Sequence, residues 1–95
     1  MVDSPAITVW VPTALRSYCG GASSLPLSAS TVGTALERLA TDYPKLYPNV
    51  CDETGAVRRH INVFVNKAHV RDLEGLDTAL SSGDVILIVP AVSGG

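Results

Sequence analysis

The sequence has little positive charge. Seven Lys and Arg are spread over 95 residues against nine Asp and Glu, for a net charge of −2, and Arg58-Arg59 is the one adjacent basic pair. A nucleic-acid surface needs a basic stripe, so that class is excluded. Arg58-Arg59 reads as a solvated strand entrance, or as a contact for an acidic partner. Cysteine is also scarce. Cys19 and Cys51 stand far apart, with no Cys-x-x-Cys and no zinc-type Cys/His spacing. His60 and His69 have no carboxylate at metal-ligand spacing, so all four residues read as structural or incidental and no metal is expected. A Cys-His nucleophile would also need a pocket and an orienting group. There is no Walker loop, dinucleotide fingerprint or His-Glu-x-x-His, so no catalytic residue is expected. No apolar run reaches transmembrane length. Met1-Val2-Asp3-Ser4-Pro5 lacks the basic start and apolar stretch of a signal peptide. The expected compartment is the cytoplasm, with no membrane partner.

What is present suits one small domain. A hydrophobic fraction of 46% in 95 residues can bury a sufficient core without disulfides or metals. Ala6-Ile7-Thr8-Val9-Trp10-Val11 alternates with strand period, and Pro12 closes it. Thr13 to Ser23 reads as a loop turning at Cys19-Gly20-Gly21. Ser24-Leu25-Pro26-Leu27-Ser28 is broken by proline, which suits an edge strand. Thr31 or Ser30 can cap a helix whose apolar stripe is Val32, Ala35, Leu36, Leu39 and Tyr43, with Pro44 ending it. Lys45 to Gly55 reads as a connection with at most one helical turn. His60 to Asn66 alternates again, and Asn66-Lys67 turns into a short strand near His69-Val70-Arg71. Leu73 to Leu80 has room for one helical turn. Gly83-Asp84 is a turn signal before the buried strand Val85-Ile86-Leu87-Ile88-Val89, which Pro90 stops. One helix on one face of a mixed sheet is the α+β class. The element order is that of the β-grasp, or ubiquitin-like, fold.

In that order the first strand lies beside the last, and the last beside the third. Ile7, Val9, Leu36, Leu39, Ile61, Val63, Val65, Ile86 and Ile88 then face the core by period. Trp10, Leu87 and Phe64 form a row on the opposite sheet face, with Val85 nearby. A contiguous apolar patch of this kind marks a partner-docking surface. The alternative is that Thr13–Ser23 or Tyr43–Arg58 folds over the row and makes a second small core.

The sequence ends Pro90-Ala91-Val92-Ser93-Gly94-Gly95. Two glycines can thread a tunnel too narrow for any Cβ, which suits a chain whose C-terminal carboxylate is the reacting group. Residues 1–90 are expected to form the domain, and 91–95 a flexible tail reaching about 15 Å when extended. A plain glycine-rich end is the alternative.

Several segments resemble the ThiS/MoaD family of prokaryotic sulfur carriers, especially its actinobacterial cysteine-biosynthesis branch. They are Val11-Pro12-Thr13-Ala14-Leu15-Arg16, Gly20-Gly21, Asn62-Val63-Phe64-Val65-Asn66, Val70-Arg71, Gly75-Leu76, Thr78-Ala79, Gly83-Asp84, Pro90-Ala91-Val92 and Gly94-Gly95. The resemblance spans nearly the whole chain. The loops at Thr13–Ser23 and Tyr43–Arg58 are longer than in thiamin-type carriers, and Ser93 is a mild variation among small residues. The resemblance implies that an E1-like enzyme uses ATP to adenylate the Gly95 carboxylate. A sulfur nucleophile then displaces AMP and leaves a thiocarboxylate. In the cysteine branch that sulfur passes to a cysteine synthase that uses pyridoxal phosphate, and a zinc metallopeptidase releases the cysteine. ATP, pyridoxal phosphate and zinc would all belong to the partners. This chain would hold no cofactor, perform no catalysis and be a monomer on its own. Molybdopterin, thiosugar or other secondary-metabolite pathways and tRNA thiolation are alternative customers. A ubiquitin-like modifier that joins Gly95 to lysines, or a plain interaction domain, would be a different class.

Overall fold

The computed structural model describes residues 4–91. Val92, Ser93, Gly94 and Gly95, and with them most of the expected tail, lie outside the described residues. Five strands form one sheet: β1 (Ala6–Trp10), β2 (Ser24–Ser28), β3 (Ile61–Val65), β4 (Ala68–His69) and β5 (Val85–Pro90). The spatial order is β2-β1-β5-β3-β4. β5 runs parallel to β1 and antiparallel to β3, while β2 and β4 are antiparallel edges. Helix α1 (Val32–Asp42) covers one face. This is the mixed α+β sheet of a β-grasp fold.

Period decides what is buried. Ile7 and Val9 on β1, Ile61, Val63 and Val65 on β3, and Ile86 and Ile88 on β5 all point into the core. They meet Val32, Ala35, Leu36 and Leu39 of α1. Each is the apolar side of its alternation or stripe. Thr31 caps α1 by accepting a hydrogen bond from the Thr34 N–H at 3.1 Å. The segment after β4 then crosses the start of α1. The Val32 N–H donates to the Thr78 carbonyl at 3.1 Å and the Leu80 N–H to the Ser30 carbonyl at 2.9 Å. Gly33 permits this crossing, because a Cβ there would stand 3.1 Å from the Leu76 carbonyl oxygen.

The connections follow the sequence reading in part and differ from it in part. Thr13–Ser23 is not all loop, since Thr13–Cys19 winds into a 3-10 helix. That helix stops at Gly20, whose φ of 72° is the left-handed angle of a helix stop. Between Lys45 and Gly55 a single helical turn forms, α2 (Tyr47–Val50). It sends Leu46, Val50 and Cys51 fully into the core. The short fourth strand begins earlier than expected. Asn66 adopts φ 56°, so a two-residue turn brings Ala68 directly opposite Val65. Val70–Asp72 is then a 3-10 turn, not strand. A second such turn, Gly75–Asp77, fills the expected helical turn.

Pro90 does not stop β5, because it pairs with Ile61. The Ala91 N–H donates to the His60 carbonyl, so by strand alternation the Pro90 nitrogen faces away from β3. Pairing with β1 has already ended at Trp10 and Leu87, and no ladder bond is lost. Leu36→Ala or Ile88→Ala is expected to cost on the order of 2–5 kcal/mol, measured by urea unfolding. A loss below about 1 kcal/mol, usual for surface sites, would contradict the assigned faces.

Candidate functional site

The turn before β5 sets which of its residues face outward. Both carboxylate oxygens of Asp84 are engaged. Oδ1 accepts from the Asn66 side-chain amide at 3.1 Å, and Oδ2 accepts from the Ser81 N–H at 2.9 Å. Asn66 Oδ1 in turn accepts from the Val85 N–H at 3.1 Å. The Thr8 N–H donates to the Asp84 carbonyl at 3.1 Å. This clasp ties the start of β5 to β1 and β3 together, and a one-residue slip would turn every side chain over.

The resulting register places Leu87 opposite Trp10 on one side and opposite Phe64 on the other. The three side chains therefore lie in one line across the sheet face away from α1. Val85 sits one step along, opposite Thr8. All four are partly buried and partly exposed.

The ends of the row are held by residues that period could not identify. Arg16, from the 3-10 helix after β1, lays its guanidinium 5.6 Å from the centroid of the Trp10 ring. Its Nε donates to the Val11 carbonyl at 3.0 Å. A cation over an indole face is attracted by the ring quadrupole. At the other end His69 meets Phe64 edge-on, with centroids 4.9 Å apart at 63°. His69 Nδ1 accepts from the Arg71 N–H at 3.1 Å. The ring proton therefore sits on Nε2 and is donated to Asn62 Oδ1, also at 3.1 Å.

The two long connections do not roof this row with a second core. From Thr13–Ser23, Leu15, Cys19 and Ala22 pack against the main core. From Tyr43–Arg58, Leu46, Val50 and Cys51 lie inside it, with Tyr43, Tyr47 and Val57 packed on it. Arg16, from the first of them, reaches over Trp10. Its place in the sequence gave no sign of this, because the stacking depends on the 3-10 path after Pro12.

Of the tail, Ala91 is described. Its N–H is tied to the His60 carbonyl at 2.6 Å, so the tail departs from the end of the sheet where β3 begins. Gly95, Gly94, Ser93 and Val92 lie outside the described residues.

The cysteines take structural places. The Cys19 thiol lies 3.5 Å from both the Arg16 and Ala22 carbonyls. Cys51 is buried beneath a cleft of about 320 Å³ lined by Tyr47, Pro48, Asp52, Glu53 and Arg58. Burial pushes the Cys51 thiol up, partly offset by its hydrogen bond with Tyr47. Burial, followed by the Cys51 charge, pushes the Tyr47 phenol up as well. Among the described residues no His, Cys, Asp and Glu side chains gather into a group that could hold a metal ion. No helix among them is long and apolar enough to cross a membrane.

Comparison with known proteins gives consistent matches. The ThiS family model matches residues 9–95. The sulfur carrier protein CysO of Mycobacterium tuberculosis is 37% identical over 91 residues, 94% of this chain and 98% of that protein. A chain in the crystal structure of the Amycolatopsis orientalis BexX/CysO complex superposes with a TM-score of 0.85 at 34% identity. It covers 95% of this chain and 100% of that one. The solution structure of small archaeal modifier protein 1 from Methanosarcina acetivorans has a TM-score of 0.85 at 32% identity, covering 100% of both chains.

The raised thiol has a testable consequence. The thiolate is the reactive form, so Cys51 should resist a thiol reagent at pH 8 in the native chain while Cys19 reacts. Unfolded chains lose the Cys51 and Tyr47 protons first, so native stability should fall as pH rises above the ordinary thiol range of about 8.5. Timed alkylation with peptide mapping, and urea unfolding across pH 7–10, check both. Equal labelling rates would contradict the burial.

Proposed function

This chain belongs to the ThiS family, and we propose that it is a sulfur carrier whose reacting group is the Gly95 carboxylate. The observation that carries this reading is the near full-length likeness to a sulfur carrier, with the family match running through Gly94 and Gly95. A free carboxylate is a poor electrophile. In the proposed first step a Gly95 carboxylate oxygen attacks the α-phosphorus of ATP on an E1-like enzyme, and pyrophosphate leaves. A sulfide-level sulfur nucleophile then attacks the activated carbonyl carbon, the bond to AMP breaks, and a thiocarboxylate results. The chain is a protein co-substrate in this scheme; ATP is consumed on the partner.

The customer we favour is a cysteine synthase with pyridoxal phosphate, followed by a zinc metallopeptidase that frees the cysteine. The likeness to CysO supports that choice. Both cofactors belong to those enzymes, and the whole sequence of steps is cytoplasmic. The likeness to a small archaeal modifier favours one second reading, in which a lysine amine takes the activated Gly95 and an isopeptide bond forms. Higher-mass adducts of other proteins in cells would distinguish it.

In this scheme the row Trp10, Leu87, Phe64 and Val85 docks the activating enzyme. Its partly exposed aromatic and aliphatic surface, on the sheet whose central strand leads into the tail, supports that role. One enzyme must then hold the row and receive the tail together.

Two outcomes are expected. With its activating enzyme, ATP and a sulfide source, the chain should gain about 16 Da at Gly95, as oxygen is replaced by sulfur, and the new sulfur should take a thiol-selective alkylating agent. Gly94→Ala or Gly95→Ala should abolish this gain while leaving the fold intact, because a Cβ blocks the thread. Unchanged yields from both variants would sink the carrier reading. Trp10→Ala and Phe64→Ser should stay folded by circular dichroism and be adenylated more slowly. Wild-type rates would remove the docking role.

A further inference from the structure

β4 pairs only with Phe64 and Val65, so the first three residues of β3 have no strand on that side. A cleft of about 250 Å³ opens along this bare edge, between the segment before β3 and the 3-10 turn after β4. Arg58, Arg59 and Arg71 line it, with Asn62 and His69 as its other polar side chains. Three of the chain's seven basic residues thus line one cleft in a protein of net charge −2, and Arg58 is shared with the cleft over Cys51. Among the described residues the one ion pair is Arg38 with Asp42, and none of the three guanidiniums is in one. Arg58 is oriented by its Nε, which donates to the Pro48 carbonyl at 2.6 Å. Asp52 lies near Arg58, but its carboxylate is already engaged by Thr54 and the Ala56 N–H. Arg59 and Arg71 are exposed.

The position of the cleft matters because of the tail. Ala91 is bonded to His60, and His60 sits between Arg59 and Ile61, both of which line the cleft. Four residues follow Ala91, a reach of about 14 Å at full extension. An enzyme that draws Gly95 into an active site must therefore approach within that distance of Ala91. At so short a tether its surface also covers the neighbouring arginines. Covering the exposed guanidiniums of Arg59 and Arg71, which have no ion-pair partner among the described residues, with apolar or basic surface would be costly.

We propose that the cleft lined by Arg58, Arg59 and Arg71 docks a carboxylate-bearing segment of the enzyme that takes the tail. This rests on the carrier reading above. It adds a second, charged contact to the apolar row and states its sign. Complementary charge at that place would speed encounter and set the direction from which the tail enters.

The test has two independent parts. In the first, the unmodified full chain is titrated with a glutamate-rich hexapeptide, and in parallel with inorganic phosphate, while backbone amide resonances are followed. The peptide should shift Arg58, Arg59, Asn62 and Arg71 saturably, and less as salt rises. Shifts elsewhere, no shifts, or equal binding of phosphate alone would overturn the proposal; the last result would mark a small-anion site. In the second, Arg59→Glu with Arg71→Glu should raise the KM of the activating enzyme for the carrier about tenfold or more, with kcat little changed. The neutral pair Arg59→Gln with Arg71→Gln should fall between, and Lys67→Glu, at the far end of β3, should match wild type. Wild-type KM for both arginine pairs would overturn the cleft's role and leave the carrier reading standing. A wild-type chain that is never adenylated would sink the carrier reading and this proposal with it.

Discussion

The whole molecule turns on β5 being held between β1 and β3. Its pairing with β1 is parallel and its pairing with β3 antiparallel, so strands from the two ends of the chain meet at the centre of the sheet. Parallel pairing of distant segments cannot be made by a tight turn and needs a long crossover, which here contains α1. Once β5 is seated, Ile86 and Ile88 close the core under α1, and the same strand turns Leu87 and Val85 to the other side. The Asp84–Asn66 clasp protects this register at the point where an error would do most damage.

Three features of the surface follow from that one strand. Its outward residue Leu87 joins Trp10 and Phe64 into a continuous row. Its last bond, from Ala91 to His60, fixes where the tail leaves the sheet. That place adjoins the bare edge of β3 and its arginine-lined cleft. One strand thus lines up the Trp10–Leu87–Phe64 row and also brings Ala91 beside the cleft of Arg58, Arg59 and Arg71.

Much of this could be read before any coordinates. Alternation in β1, β3 and β5 separated Val9 from Trp10, Val63 from Phe64 and Ile88 from Leu87, because a strand repeats every two residues. The stripe of α1 was equally plain, and its cap was narrowed to Thr31 or Ser30. The connections were not. The Thr13–Cys19 helix has 3-10 geometry, whose short runs leave little periodic trace. Leu46, Val50 and Cys51 looked like parts of a polar connection, and their burial depends on α2 folding against α1. Pro90 seemed to end a strand, yet a proline is tolerated where its nitrogen faces away from a partner.

The sequence by itself determined the element order, the fold class and the two faces of the sheet, because each is written in local period or in a residue's own backbone chemistry. Tertiary structure alone decided that Arg16 stacks on Trp10 and that His69 meets Phe64 with a defined tautomer. It also decided that Arg71 comes to the same cleft as Arg58 and Arg59. Those residues are brought together by the path of turns between elements. Charge and stacking act through distance in space, on which spacing along the chain carries no information.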